Sequence, residues 1–477
     1  MSEKRHRQQQ RRQRRKAQGR TRPGGPPHDR RPSLARDAER ELAELLTEMA
    51  EIAARDAHEP ADALEAEQWA STLIGTMHAR PMPGEDVEAM FLPGFVDALE
   101  TLGTSPALAT LHALASVCAP DHARRAAAAS DRLAATGASE PVWAAHLGHA
   151  RPTAAALMSE EAFDDGVSVM VEFAGPGYER HTLGIYIDHN MGGLVKDAFL
   201  AGPLSDLRAQ LNRAQPDGVG ISIGDLDPAE ARARVEAALY ALDHTYDPPV
   251  NEDVRTMRAF LDSRMRLLPD GFELPDDGEE ITPEQREALL ADFITSPEGR
   301  RWQGDEDAEE VARMAIDFGA GYNHGGPLRW SPVVVEIFMT SWLARKVTGY
   351  PELFARVPEI LPDWVTYAGR RNGVPAAPLR EAIAAVEEYR AEMLAAVEDP
   401  EAWGPAKTLA VAALEAGVDL TDEAEVERYI QRYNDGLAAS CRTRPMGSGA
   451  LASSGPTAVS MARALGARSS TGGGRAR

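Results

Sequence analysis

The stretch VSVMVEFAGPGYERHTLGIYIDHNMGGLVKDAFLAGP, Val167–Pro203, is where this chain departs from helix. Val167, Val169 and Val171 alternate with Ser168, Met170 and Glu172. Leu183, Ile185 and Ile187 alternate with Thr182, Gly184, Tyr186 and Asp188. A period of two with β-branched residues predicts strands, and the Gly175-Pro176-Gly177 turn between them predicts an antiparallel pair with one face buried. The second strand ends in Asp188-His189-Asn190, followed by Gly192-Gly193 and Lys196-Asp197.

Outward from this pair, helix dominates. Upstream, Leu42, Leu45, Leu46, Met49 and Ile52 share one helical face, as do Phe91, Phe95, Leu99 and Leu102, and then Leu108, Leu111 and Leu114. Residues 37–160 therefore read as a helical domain. Residues 161–268 read as a small α+β domain. Gly218–Leu226 supplies another strand there, and Asp227-Pro228-Ala229-Glu230 opens a helix with Asp as cap, Pro in the first turn and Glu reaching back. Residues 269–281 are acidic and bear Pro and Gly, as a linker would.

Helix resumes at Thr282-Pro283-Glu284-Gln285, a capping box, and residues 282–435 read as a second helical domain. It includes an apolar helix over Val333–Val347 and a long amphipathic one over Leu379–Val397. Residues 1–36 (Arg, Gln, Gly, Pro) and 436–477 (Gly, Ser, Ala, Arg) have little to bury and read as disordered arms. The fold class expected is α+β, mainly α, with helical regions around a small antiparallel middle domain.

Charge sharpens this division. The 477 residues carry a formal net charge of −23, yet residues 1–36 carry +11 and residues 442–477 carry +6, so the body between them carries −40. Such a body repels a nucleic-acid backbone and favours solubility. Residues 1–36 remain the expected contact for nucleic acid or an acidic partner, with a solubilising tail as the alternative. The arm has no aromatic residue, which removes base stacking. Two cysteines, Cys118 and Cys441, make neither a disulfide framework nor a cysteine-based zinc site. No apolar run approaches 18 residues and no signal-peptide core occurs, so a cytoplasmic protein without a membrane span is expected.

The candidate catalytic residues are Asp188, His189, Lys196 and Asp197. A strand end fixes the backbone while the following loop exposes side chains, which suits a His acting as base or metal ligand. Against this, Asp and Asn form turns, and Asn-x-Gly-Gly suits left-handed backbone. His146 and His149 in WAAHLGHA are the candidate metal ligands, because a helix would place both on one face. Gly148 weakens that helix. Further ligands would be needed, with Asp121 and His122 as candidates.

The loop Tyr322–Trp330, YNHGGPLRW, offers a Gly-Gly pair beside His324 and Arg329. It lacks a Lys-Ser/Thr ending, so Arg329 reads as the partner of a carboxylate and Trp330 as a packing residue. Val219–Asp225 reads as a strand with a turn, without the Gly-x-Gly-x-x-Gly of a dinucleotide fold. Asp243-His244 reads as a helix end. No motif implies a cofactor.

The stretches YERHTLGIYIDHNMGGLVKDAFL, LDHTYDPPVNED, PLRWSPVVVEIFMTSWLARKV and LPDWVTYAGRR resemble a family of actinobacterial proteins to which no activity is assigned. The resemblance spans about residues 40–435 and excludes both arms. It implies that these segments belong to one chain and imports no function. Two function classes follow from the residues. The first is a non-catalytic cytoplasmic interaction or regulatory protein, possessing no complete catalytic constellation. The second is a hydrolase-like enzyme or metal-binding protein with its site around Asp188-His189.

Overall fold

The structure, a computed structural model, describes residues 31–57, 60–77, 87–160, 162–214, 220–245, 248, 250–275, 281–419 and 422–443. Most of the basic arm, the linker residues 276–280 and the tail from 444 lie outside the described residues. Among the described residues the chain is mainly helical, as its patterning predicts, and carries one five-stranded antiparallel sheet where a strand pair and one further strand were expected. Its described residues divide into two compact units, one ending at Gly148 and the other beginning at His149.

The first unit holds α1 (Arg31–Asp56), α2 (Ala63–Met77), α3 (Val87–Leu102), α4 (Ser105–Val117), α5 (Pro120–Ala134) and a 3-10 turn, Val142–His146. Helix α1 starts six residues before the expected arm boundary. Pro32 suits a first helical turn, and Leu34 and Ala35 favour continuation. Thr104 caps α4 by accepting from the Ala107 amide. Helix α4 is apolar nearly all round, and α1, α2, α3 and α5 surround it. Phe95, Leu99, Leu108, Leu111 and Leu114 are fully buried, as their spacing predicts.

The stripe on α1 is different from the one expected. Leu45 and Ile52 are exposed, while Leu46, Ala50, Ala53 and Ala57 are buried. Small residues let helices approach closely: a Cβ on Gly94 of α3 would lie 2.7 Å from Leu46 Cδ1.

The second unit contains β1 (Arg151–Glu160), β2 (Gly166–Gly175), β3 (Tyr178–Asp188), β4 (Leu194–Ala201), α6 (Leu204–Ala214), β5 (Ile221–Asp225), α7 (Pro228–Asp243) and α8 (Glu252–Met265). The sheet order is β4-β3-β2-β1-β5. Strand β1 lies in a stretch that reads as helical, because Ala154–Met158 are helix formers. Pairing on both sides, with β2 and with β5, overrides that propensity. Both faces of β2 are buried, not one.

One face of the sheet carries Val167, Val169, Val171 and Phe173, with Leu183, Ile185 and Ile187 beside them. Its Phe173 ring meets Arg264 of α8 at 5.4 Å. Asp227 caps α7 as expected, but Glu230 pairs with Arg234 at 2.6 Å instead of reaching back. The other face carries Ala156 and Met170, which pack against Leu204 and Leu207 of α6. On this face two rings lie over glycines. A Cβ on Gly184 would meet the Phe199 ring at 2.4 Å, and one on Gly166 would meet the Tyr186 hydroxyl at 2.5 Å.

The same unit continues with α9 (Pro283–Thr295), α10 (Glu306–Tyr322), α11 (Pro332–Glu336), a π-helical turn Ile337–Trp342, α12 (Leu343–Lys346), α13 (Pro351–Arg371), α14 (Ala376–Glu388), α15 (Arg390–Glu398), α16 (Pro405–Glu415) and α17 (Glu423–Thr443). The capping box forms: the Gln285 amide donates to Thr282 Oγ1 at 3.3 Å, and the Thr282 amide donates to Gln285 Oε1 at 2.7 Å. Helix α17 carries past residue 435, where a tail was expected to begin. The stretch Leu379–Val397 breaks at Tyr389 into two helices. Phe293, Phe318, Trp330, Phe338, Trp364 and Tyr367 share one core, and Phe163 from the β1–β2 loop joins it. That insertion ties the sheet's connecting loop to the C-terminal helices.

Candidate functional site

Three segments meet beside the end of β3. They are the β1–β2 loop at Asp164-Asp165, the turn after β3, and the α10–α11 loop at Asn323–Arg329. Asp164 has φ 55, the one positive value outside glycine among the described residues. Asp tolerates this backbone better than most side chains. The Asp164 carbonyl faces His189 Nδ1 at 3.0 Å, and the Asp165 carbonyl accepts from the His189 amide at 3.0 Å.

The turn after β3 is built by Asp188. Its side chain is buried. One carboxylate oxygen accepts from the Asn190 amide at 2.8 Å and the other from Lys196 Nζ at 2.5 Å. Gly192 and Gly193, at φ 82 and 74, complete the turn, and the Gly193 amide returns to the Asp188 carbonyl at 3.0 Å. Asp188 is thereby engaged in the turn, as the turn-forming reading has it, and Lys196 is its ion-pair partner. Asp197 lies apart from them, with Oδ1 accepting from the Ala198 amide at 2.9 Å.

His189 keeps a chemical role open. Its ring lies 4.4 Å from that of His324, centroid to centroid, and its Nδ1 lies 3.4 Å from an Asp164 carboxylate oxygen. One ligand atom each from Asp164, His189 and His324 falls within 4.8 Å of the others. Asp164 and His324 are exposed and His189 is half-buried. Burial opposes charge on both His189 and Asp164. Their mutual hydrogen bond and attraction prevail, raising the His189 pKa and lowering that of Asp164.

Arg329 underlies this group. It is buried, and its guanidinium donates to Asp165 Oδ1 at 2.7 Å, to Asn190 Oδ1 at 2.6 Å and to Asn323 Oδ1 at 2.6 Å. Its Nε donates to the His324 carbonyl. Asn323 in turn donates to the Gly326 carbonyl at 3.0 Å and the Arg329 carbonyl at 2.7 Å. Gly325, at φ 82, passes so close that a Cβ there would lie 3.0 Å from Arg329 Cδ. The expectation that Arg329 pairs with a carboxylate is met by Asp165. Nearby, burial and then the charges of Asp188, Asp165 and Glu160 push the Tyr186 phenol up to about 12, so it stays protonated near neutrality.

The His146–His149 pair does not lie on an α-helix. His146 ends a 3-10 turn and Gly148 has φ 73, so the α-helical geometry that would align the two rings is missing. Neither belongs to the metal-capable group found among the described residues. The proposed additional ligand Asp121 pairs with Arg124. Sequence reading passed over a Gly-x-Ser-x-Gly spacing that does occur, at Gly220-Ile221-Ser222-Ile223-Gly224, but Ser222 sits within β5, its Oγ 3.2 Å from that of Ser159. An elbow needs a sharp strand-to-helix turn, so Ser222 is no such nucleophile.

Sequence reasoning missed Asp164 and did not connect His324 with His189. Asp164 had only the weak signal of Asp-Asp-Gly before a strand. His324 stood out in its loop, but it lies 135 positions from His189. Among the described residues, no helix is long and apolar enough to cross a membrane. No protein-family model matches the chain, and neither a curated protein nor a solved structure shows significant similarity to it.

Proposed function

We propose that this protein binds a divalent transition metal through His189, His324 and Asp164. The observation that carries the reading is the convergence of two imidazoles and one carboxylate, drawn from three separate segments, within 4.8 Å. Two nitrogens and one oxygen suit zinc, iron or manganese better than calcium or magnesium, which prefer all-oxygen shells. The Asp164 carbonyl beside the His189 ring would help to orient it, and a backbone carbonyl is a common support of a metal-bound imidazole. Three protein ligands at an exposed position leave room for water. A bound metal there would lower the pKa of that water, which is hydrolase-like chemistry.

Elemental analysis and calorimetric titration of the full chain with Zn2+, Fe2+ and Mn2+ test this. About one metal per chain is expected, with His324→Ala and His189→Ala each weakening binding by roughly 100-fold or more. If no metal binds, the cluster is an ion pair, and the chain returns to the reading of a non-catalytic interaction protein.

A further inference from the structure

Arg329 is more than a structural cation, and we infer that it is a positioning residue that fixes all three metal-bearing segments in register with one another. This rests on the metal reading above. Every ligand sits next to a group that the Arg329 guanidinium holds. Asp165 follows Asp164, and Asn190 follows His189. The His324 carbonyl and the Asn323 side chain flank the third ligand. Weaker contacts reach the carbonyls of Phe163 and Asp164, both at 3.4 Å.

The residue type is specified by this arrangement. A planar fork with five N–H groups can address a carboxylate, two side-chain amides and a carbonyl at fixed angles, while an ammonium has three donors on one atom. Lysine at 329 would retain the charge and lose the simultaneous reach. Burial of the guanidinium adds to the constraint, because the fork has little room to reorient. His324 itself is exposed on a loop carrying two left-handed glycines, and the bond from Arg329 to its carbonyl helps to hold that loop in place. The site is thus set from beneath, by a residue that touches no metal.

The test is calorimetric titration of the full chain with Zn2+. Co2+ absorption in the visible reports coordination geometry, and circular dichroism monitors folding. Arg329→Lys is expected to bind about 10- to 100-fold more weakly and to alter the Co2+ spectrum while the helical signal persists. Should that variant fail to fold, Asn190→Ala removes a single partner of the fork. It is expected to weaken binding about 3- to 10-fold, the equivalent of one hydrogen bond, with the same spectral change. Unchanged affinity and spectrum in the folded variants, with tight binding by the wild type, overturn the inference and leave the metal centre standing. A wild-type chain that takes up neither metal overturns both.

Discussion

Two buried cations in the second unit are held in opposite ways. Arg329 meets a carboxylate, two side-chain amides and a backbone carbonyl. Lys407 of α16 is equally buried, but among the described residues its Nζ has no hydrogen-bond partner, and it lies near two aromatic rings, 5.5 Å from Phe354 and 5.1 Å from Trp403. Burial removes the hydration of both charges, and only Arg329 recovers it in polar contacts. Ring faces return roughly 0.5–2 kcal/mol to Lys407. Burial nonetheless pulls its pKa down to about 8, so desolvation prevails. A buried charge therefore marks an organised site only when its donors are engaged. Otherwise it is a local source of instability.

The largest expected effect would break this contrast at Arg329. Arg329→Met leaves Asp165 and two amides without their donor and should cost about 3–5 kcal/mol in urea unfolding. A loss under about 1 kcal/mol would mean that the guanidinium organises nothing. Asp188→Ala should cost about 2 kcal/mol, because it removes the cap of the turn after β3 and the partner of Lys196.

Lys407→Met should act in the other direction, stabilising by about 1 kcal/mol near neutral pH, since it keeps the packing and removes the desolvated charge. The pH dependence has a definite sign. The unfolded lysine holds its proton up to about 10.5 and the folded one only up to about 8. Between these values the unfolded state binds more protons, so stability rises with pH. This rise should vanish in Lys407→Met, and a wild-type profile that is flat or falling for this residue would contradict the account. The smallest effect is expected at Asp197→Ala, within about 0.5 kcal/mol.

The legible parts of the molecule were those with local causes. The period-two alternation of Val167–Val171 and Leu183–Ile187, the capping box at Thr282–Gln285 and the cap at Asp227 all depend on neighbours a few positions away. Strand β1 was hidden because its alanines favour helix, and only pairing with two other strands reverses that preference. The α1 stripe was misplaced because alanine, the residue it buries, is a weak hydrophobic signal beside Leu45 and Ile52. At the site, Asp188 and His189 stood out because a strand ended there. The arrangement that gives His189 its neighbours joins residues 164, 189 and 324, and no spacing rule connects positions so far apart.

The rings laid over glycines have a consequence for how the sheet assembles. Phe199 pairs with Gly184 across β4 and β3. Slipping these strands by two residues keeps every side chain on its proper face, so hydrophobicity alone barely opposes the error. Such a slip would set the Phe199 ring against Thr182 or Tyr186, where a side chain fills the space that glycine leaves open. Gly166 beneath Tyr186 imposes the same condition on β2 and β3. A misaligned hairpin would therefore carry a steric penalty of its own, apart from any that the helices packed on the sheet impose.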